Sequence, residues 1–163
     1  MNHIQAKEEI RSLLRSLPVK NYFVAPIEVE VIEQFEQSKL LTLPDDYWWF
    51  LRNLGQGGVD WETLGIVRVS EHLHIFHGVK EAKYKEDDVP IRDFIVIEHL
   101  SEDDFLFIET PMMGVSRATA PILRWNHHER AQATAYSDFY TYFLERLKKA
   151  KTEKKRGDKN ETT

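Results

Sequence analysis

Residues 43–58 read LPDDYWWFLRNLGQGG, and this stretch predicts one complete helix together with both of its ends. Proline suits the first helical turn, where its missing N–H is not needed, and the two aspartates behind it meet the positive end of the helix dipole. The glycines from Gly55 onward stop the helix. The large apolar side chains between these signals share one face, so we expect the helix to pack on a core through Tyr47, Phe50, Leu51 and Leu54.

Two further helices are predicted before this one. Residues 4–16 place isoleucine and leucine at helical spacing, and Pro18 stops the pattern. A second helix is expected to begin at Pro26. Its apolar residues form one stripe, which comprises Ile27, Val31, Ile32 and Phe35.

The hydrophobic period changes after the glycines. Short runs rich in β-branched and aromatic residues predict strands at residues 65–69, 93–98, 105–109 and 120–125, with a hairpin turn at 100–104. A last helix is expected to open at Ser137, which suits an N-cap, and its buried face comprises Phe139, Tyr140, Phe143, Leu144 and Leu147. Helices, then strands, then a helix predict an α+β fold whose helices pack on a mainly antiparallel sheet.

The composition is that of one globular domain. The chain has 163 residues, 42% hydrophobic and 30% charged, and it has no cysteine, which excludes disulfides, thiolate nucleophiles and cysteine-based metal sites. It shows neither a signal peptide nor an apolar run long enough to cross a membrane. We therefore expect a soluble, cytoplasmic protein with a single domain at residues 1–150 and a basic, disordered tail at residues 151–163.

Charge is unevenly distributed along the chain. The formal net charge is −5, but residues 148–163 hold seven basic and three acidic residues, which leaves −9 on residues 1–147. An acidic body disfavours nucleic acid, which binds Lys and Arg in place of its counterions. It favours a partner with a basic surface, because opposite fields speed the encounter.

The order of the predicted elements and several particular residues resemble those of the SUKH superfamily, the Smi/Knr-like group of bacterial immunity proteins and fungal cell-wall regulators. Its members carry an acidic residue about seven positions before a Leu-Pro-x-x-Tyr motif, then an aromatic-Leu pair and a glycine-containing turn. Those places are taken here by Glu36, Leu43-Pro-Asp-Asp-Tyr47, Phe50-Leu51 and Gly57-Gly58. Residues 94–97 and 105–108 resemble the family's central hairpin. Residues 121–125 and 137–144 resemble its closing strand and helix. The whole resemblance covers residues 27–147. Within the superfamily it is nearest to the antitoxins of LXG-type polymorphic toxin systems.

This resemblance implies a mixed, mainly antiparallel sheet of about six strands, with N-terminal helices and a C-terminal helix packed on it. It also implies a protein-binding role without catalysis or cofactor, as an immunity protein that sequesters a cognate secreted toxin, often a nuclease. The motif residues are implied to support the fold rather than to bind the partner. Residues 71–90, rich in His, Lys and Asp, match no family element.

Acidic residues and two tryptophans are the candidate contacts for a basic partner. The acidic set comprises Asp87, Asp88, Glu102, Asp103 and Asp104, and its alternative interpretation is a solvated edge that keeps the protein soluble. Trp48 and Trp49 cannot both be buried on the stripe that Tyr47 and Phe50 occupy, and an exposed tryptophan would suit an interface. Packing is the alternative for both rings.

Catalytic and metal sites are disfavoured by the same sequence. His72, His74 and His77 could hold zinc with a carboxylate, but their spacing matches no zinc-enzyme motif, and surface histidines are the alternative. The carboxylate doublets fall at a helix start and in turns, where capping and solvation explain them. Three functions remain open: an immunity protein, an intracellular regulatory scaffold of the Smi/Knr type, and the disfavoured His-dependent metal hydrolase.

Overall fold

The computed structural model describes residues 2–16, 26–55, 75–76, 94–100, 104–110, 118–126 and 131–160. Within these ranges the chain forms four helices: α1 (His3–Ser16), α2 (Val29–Lys39), α3 (Asp45–Leu54) and α4 (Phe139–Asn160). The same ranges hold five strands: β1 (Ile75–Phe76), β2 (Phe94–His99), β3 (Phe105–Glu109), β4 (Ile122–Asn126) and β5 (Ala131–Tyr136). The predicted α+β fold is confirmed.

The described strands form one sheet in chain order, β1-β2-β3-β4-β5, and each of their pairings is antiparallel. The expected count of about six is wrong for this sheet, which holds four strands of five or six residues and the two-residue β1. The strand predicted at residues 65–69 lies outside the described residues. β5 carried no sequence signal because its central residues, Ala133, Thr134 and Ala135, are exposed and bury no apolar face.

The ends of the helices can be compared with the capping residues predicted for them. α1 and α3 match their predicted positions, whereas α2 begins at Val29 because the chain is still extended at Glu28. At α4 the cap is Asp138 rather than Ser137: its Oδ1 accepts a hydrogen bond at 2.8 Å from the backbone nitrogen of Thr141. α4 then continues to Asn160, beyond the buried face predicted for it, while the domain boundary at residue 150 stays a prediction.

The main core lies between the helices and one face of the sheet. α1 buries Ala6, Ile10 and Leu14 in this core and packs along α4. At its centre the aromatic rings of α3 and α4 interlock, with the Phe50 ring centroid 4.9 Å from that of Phe139. The predicted buried face of α4 is confirmed in full, since all five of its residues belong to this cluster.

The opposite face of the sheet is also apolar. Side chains alternate along the strands, so every second residue leaves the main core and joins a separate buried cluster. That cluster comprises Phe94, Val96, Phe105, Phe107, Leu123 and Trp125. Strands β2 and β3 are therefore buried on both faces, as their near-continuous apolar runs require.

A β-bulge in β2 decides which face Glu98 occupies. Val96 pairs with Phe107 and Glu98 pairs with Leu106, so Ile97 is the additional residue. Strict alternation would place Glu98 on the face of Val96, inside the aromatic cluster. The bulge turns Glu98 toward the helices instead, where it meets α4.

Candidate protein-binding surface

The acidic residue of the SUKH-like motif holds the turn between α2 and α3. Glu36 is buried, and its Oε1 accepts a hydrogen bond at 2.6 Å from the backbone nitrogen of Leu43. Leu40 allows this turn by adopting the left-handed region, at a φ of 54°, so that the backbone of Leu41 bonds back to Glu36. The seven-residue spacing therefore has a structural cause: it brings the end of α2 to the start of α3.

Asp46 joins the beginnings of α3 and α4. Its fully buried carboxylate accepts hydrogen bonds from the backbone nitrogens of Tyr47, at 3.0 Å, and of Phe139, at 2.6 Å and 93 residues away in sequence. Burial raises the pKa of Asp46 to about 6, and these two N–H donors oppose the rise. Asp46, which the sequence predicted to meet the positive end of the α3 dipole, thus also holds the start of α4 against the core.

Two fully buried tyrosines differ in how their hydroxyl groups are satisfied. The Tyr47 hydroxyl finds no hydrogen-bond partner among the described residues. The Tyr142 hydroxyl donates to Oε2 of Glu98 at 3.2 Å. The motif tyrosine therefore contributes through its ring, which packs 5.2 Å from Phe139, and not through its oxygen.

We expect Tyr47→Phe to leave the free energy of unfolding unchanged, or to raise it by up to about 1 kcal/mol, because a buried hydroxyl without a partner is unfavourable. Tyr142→Phe removes the same atom but also a hydrogen bond to a carboxylate, so it should lower that free energy by about 1.5–3 kcal/mol. Urea denaturation of the two variants measures the contrast. A larger loss for Tyr47→Phe than for Tyr142→Phe would contradict this assignment.

Glu98 lies in a polar cluster between the sheet and α4. Nη2 of Arg146 is 2.6 Å from Oε2 of Glu98, with the two side chains 15% and 7% exposed. Burial raises the pKa of Glu98, and the nearby Arg146 guanidinium opposes the rise. The cluster continues to the surface through Tyr136, whose ring lies 5.3 Å from Tyr142 and whose hydroxyl donates to Glu145 at 3.4 Å. Its contacts lie within the domain, so the cluster supports the fold.

The two tryptophans occupy different environments. Trp49 is 8% exposed and packs edge-on against Tyr140 in the main core, with Lys7 and Arg11 over its ring. Trp48 is half-buried and lies under Arg52, whose guanidinium is 5.5 Å from the ring centroid. Trp48 is therefore the candidate contact of the pair, and Trp49 is a packing residue.

The acidic candidates are only partly visible. Asp87, Asp88, Glu102 and Asp103 lie outside the described residues. Asp104 is half-buried, and its Oδ2 forms an ion pair at 3.1 Å with Arg124 on β4. The described structure therefore assigns Asp104 a role in pairing with the neighbouring strand and does not test the rest of the set.

An apolar groove lies between α2 and α3, and we name it the α2 groove. Its floor is buried and comprises Ile32, Leu43 and Leu51, while its rim comprises Ile27, Val31 and Phe35. Val31 is 52% exposed, and the other two rim residues are half-buried. The stripe predicted along this helix is thus core on one side and open surface on the other.

Two hydrogen bonds fix the walls of the α2 groove. The backbone nitrogen of Ile27 donates to the carbonyl oxygen of Leu51 at 3.1 Å, which ties the segment before α2 to the last turn of α3. The Glu36–Leu43 bond closes the other end. A surface whose shape is fixed in advance loses little conformational entropy when a partner binds.

Metal and membrane features are not found in the described ranges. They contain no group of three or more histidine or carboxylate residues arranged to hold a metal ion. No helix in the same ranges is long and apolar enough to span a bilayer. His72, His74, His77 and the rest of segment 71–90 lie outside the described side chains, so the metal-hydrolase hypothesis stays a prediction.

Comparison with known families gives a match over most of the chain. The model of the SUKH_5 family, described as SMI1-KNR4 cell-wall, matches residues 7–148, which include most of α1, the Glu36–Leu43 turn, the four longer strands and the buried face of α4. A comparison with curated proteins finds no match. Because the family match spans most of the chain and agrees with the motif residues that hold its helices together, the chain belongs to the SUKH (SMI1-KNR4) family.

Proposed function

We propose that this protein is a non-catalytic immunity protein that neutralises a cognate secreted toxin by stoichiometric binding. Family membership over residues 7–148 carries the proposal, since the SUKH resemblance implies a binding role of this kind. The buried carboxylates that could suggest catalysis are used by the fold, Asp46 by two backbone nitrogens and Glu98 by Arg146. These two carboxylates therefore support the fold, which favours a binding role for the protein surface.

The proposed mechanism is occlusion of the toxin's active or substrate-binding surface. If the toxin is a nuclease, its groove must be basic to hold phosphates, and an acidic protein can occupy it in place of the substrate. Residues 1–147 carry a net charge of −9, which favours such an encounter. Contacts through Asp87, Asp88, Glu102, Asp103, Asp104 and Trp48, and a cytoplasmic place of action, are parts of this proposal.

Co-expression tests the proposal directly. The gene next to this one is expressed from an inducible promoter, with and without this protein, and growth and complex formation are scored. We expect the neighbouring product to be toxic alone, to be tolerated with this protein, and to co-purify with it in a fixed ratio that weakens as salt rises. A toxic neighbour that this protein neither binds nor neutralises would refute the immunity role.

A regulatory scaffold is the second candidate, favoured by the family description, which names the cell wall. In that role the protein would bind an intracellular partner without preventing any toxicity. Deletion of the gene separates the two roles. An immunity protein should be dispensable when the toxin gene is also deleted, whereas loss of a scaffold should change cell-wall integrity in either background.

A further inference from the structure

We infer that the α2 groove is the docking site for a basic segment of the partner protein, one that packs an aliphatic or aromatic side chain on the apolar rim and flanks it with Lys or Arg residues. This inference rests on the immunity role proposed above and specifies the contact surface. The groove presents a half-exposed apolar rim, at Ile27, Val31 and Phe35, over a closed apolar floor. The groove is shallow, and its enclosed volume is only about 20 Å³. Drug-sized ligands occupy sites of roughly 300–1,000 Å³, so this surface suits contact with a partner protein better than binding of a small molecule.

Charge around the groove selects a basic occupant. Residues 26–40 carry four glutamates and one lysine, and three of those glutamates, Glu28, Glu30 and Glu33, are exposed. No ion pair engages these three within the part of the chain that the structure describes. Glu28 lies one helical turn before Val31 and so flanks the apolar rim directly, whereas Glu33 lies on the far side of α2 and adds only to the surrounding negative field. An apolar anchor with neighbouring Lys or Arg residues would satisfy both features at once.

The absence of cysteine from the chain allows a direct test. Val31→Cys places a single thiol on the groove, and Gln37→Cys places one on the opposite flank of the same helix, where the side chain is also exposed. Each variant is labelled with a maleimide, alone and with a catalytically inactivated form of the neighbouring gene product. At a partner concentration of roughly ten times Kd, labelling of Val31→Cys should slow by about tenfold and labelling of Gln37→Cys should not change.

Affinity measurements separate the apolar anchor from the charge. Val31→Asn should raise Kd by about 30-fold, as loss of an interface hot spot does, whereas the matched, equally uncharged Gln37→Asn should leave Kd within about twofold. The triple variant Glu28→Gln, Glu30→Gln, Glu33→Gln should raise Kd about tenfold at low salt and change it little at high salt, because screening already removes the attraction there. Thermal melting checks that every variant remains folded, which the exposure of these positions favours.

The outcomes distinguish this inference from the immunity role. If the wild-type protein binds and neutralises the toxin but Val31→Cys is not protected, the docking site is wrong and the immunity role stands. If the wild-type protein neither binds nor neutralises the toxin, both proposals fail together. If Val31→Cys becomes protected as its own concentration rises, without any partner, a second copy of the chain occupies the groove and the inference is overturned.

Discussion

Arg146→Met should lower the free energy of unfolding by about 3–5 kcal/mol, because it leaves the buried Glu98 carboxylate without its charged partner. The pair is short, at 2.6 Å, and both side chains are largely withdrawn from solvent. The Tyr142 hydroxyl bond at 3.2 Å does not replace a full positive charge. Urea denaturation at pH 7.5 measures the loss.

The double variant Glu98→Leu with Arg146→Met is the matched control. It removes both charges together, so no buried ion remains, and it should recover most of the stability that Arg146→Met loses. Acid should also reduce the cost of Arg146→Met alone, because burial already raises the pKa of Glu98 and loss of the guanidinium raises it further. A double variant as unstable as the single one would show that the pair contributes through packing and not through charge.

Asp46→Ala should destabilise the protein by a pH-dependent amount that is largest in acid. The substitution leaves the backbone nitrogens of Tyr47 and Phe139 without an acceptor in a buried site, which costs about 1–3 kcal/mol for each group. The pKa of Asp46 is raised by burial to about 6 in the folded protein, from 3.8. The folded state therefore binds the proton more tightly than the unfolded state does.

The direction of the pH effect follows from that difference. Because the folded state binds this proton more tightly, protonation of Asp46 adds to the free energy of unfolding. This contribution is fully present below about pH 4 and is lost as the pH rises through about 6. Its contribution should be about 2 kcal/mol larger at pH 4.5 than at pH 7.5, so Asp46→Ala should cost more at pH 4.5 by that amount. Denaturation of wild type and variant at the two pH values measures this, and a cost that is larger at pH 7.5 would contradict the assignment.

Sequence patterns predicted the helical half of the fold well because its signals are local. Proline, aspartate and glycine mark both ends of α3, and the apolar face of α4 repeats at helical spacing from Phe139 to Leu147. The spacing of Glu36 and the Leu-Pro-x-x-Tyr motif also predicted the family correctly. The cause of that spacing, the bond from Glu36 to the backbone of Leu43, could not be read from residue types alone because it depends on the left-handed turn at Leu40.

The sheet and the candidate site depend on non-local information. The Ile97 bulge sets the direction of Glu98, and no local pattern marks it, since the run Phe-Ile-Val-Ile is compatible with unbroken alternation. β5 is rich in alanine and exposed, so it lacks the β-branched signal of the other strands. The α2 groove was missed for a related reason: the stripe at Ile27, Val31 and Phe35 looks like core until the position of α3 shows that half of it stays open.

The pairing of α1 with α4 has a consequence for synthesis on the ribosome. The first helix buries Ile10 and Leu14 against the last one, and contacts such as that of Lys151 with Ser16 join residues 135 positions apart. Translation proceeds from the N-terminus, so the apolar face of α1 emerges long before the surface that covers it exists. We expect the nascent chain to keep that face exposed to chaperones until α4 has left the ribosome, so that the packing of α1 is a late step in the folding of this domain.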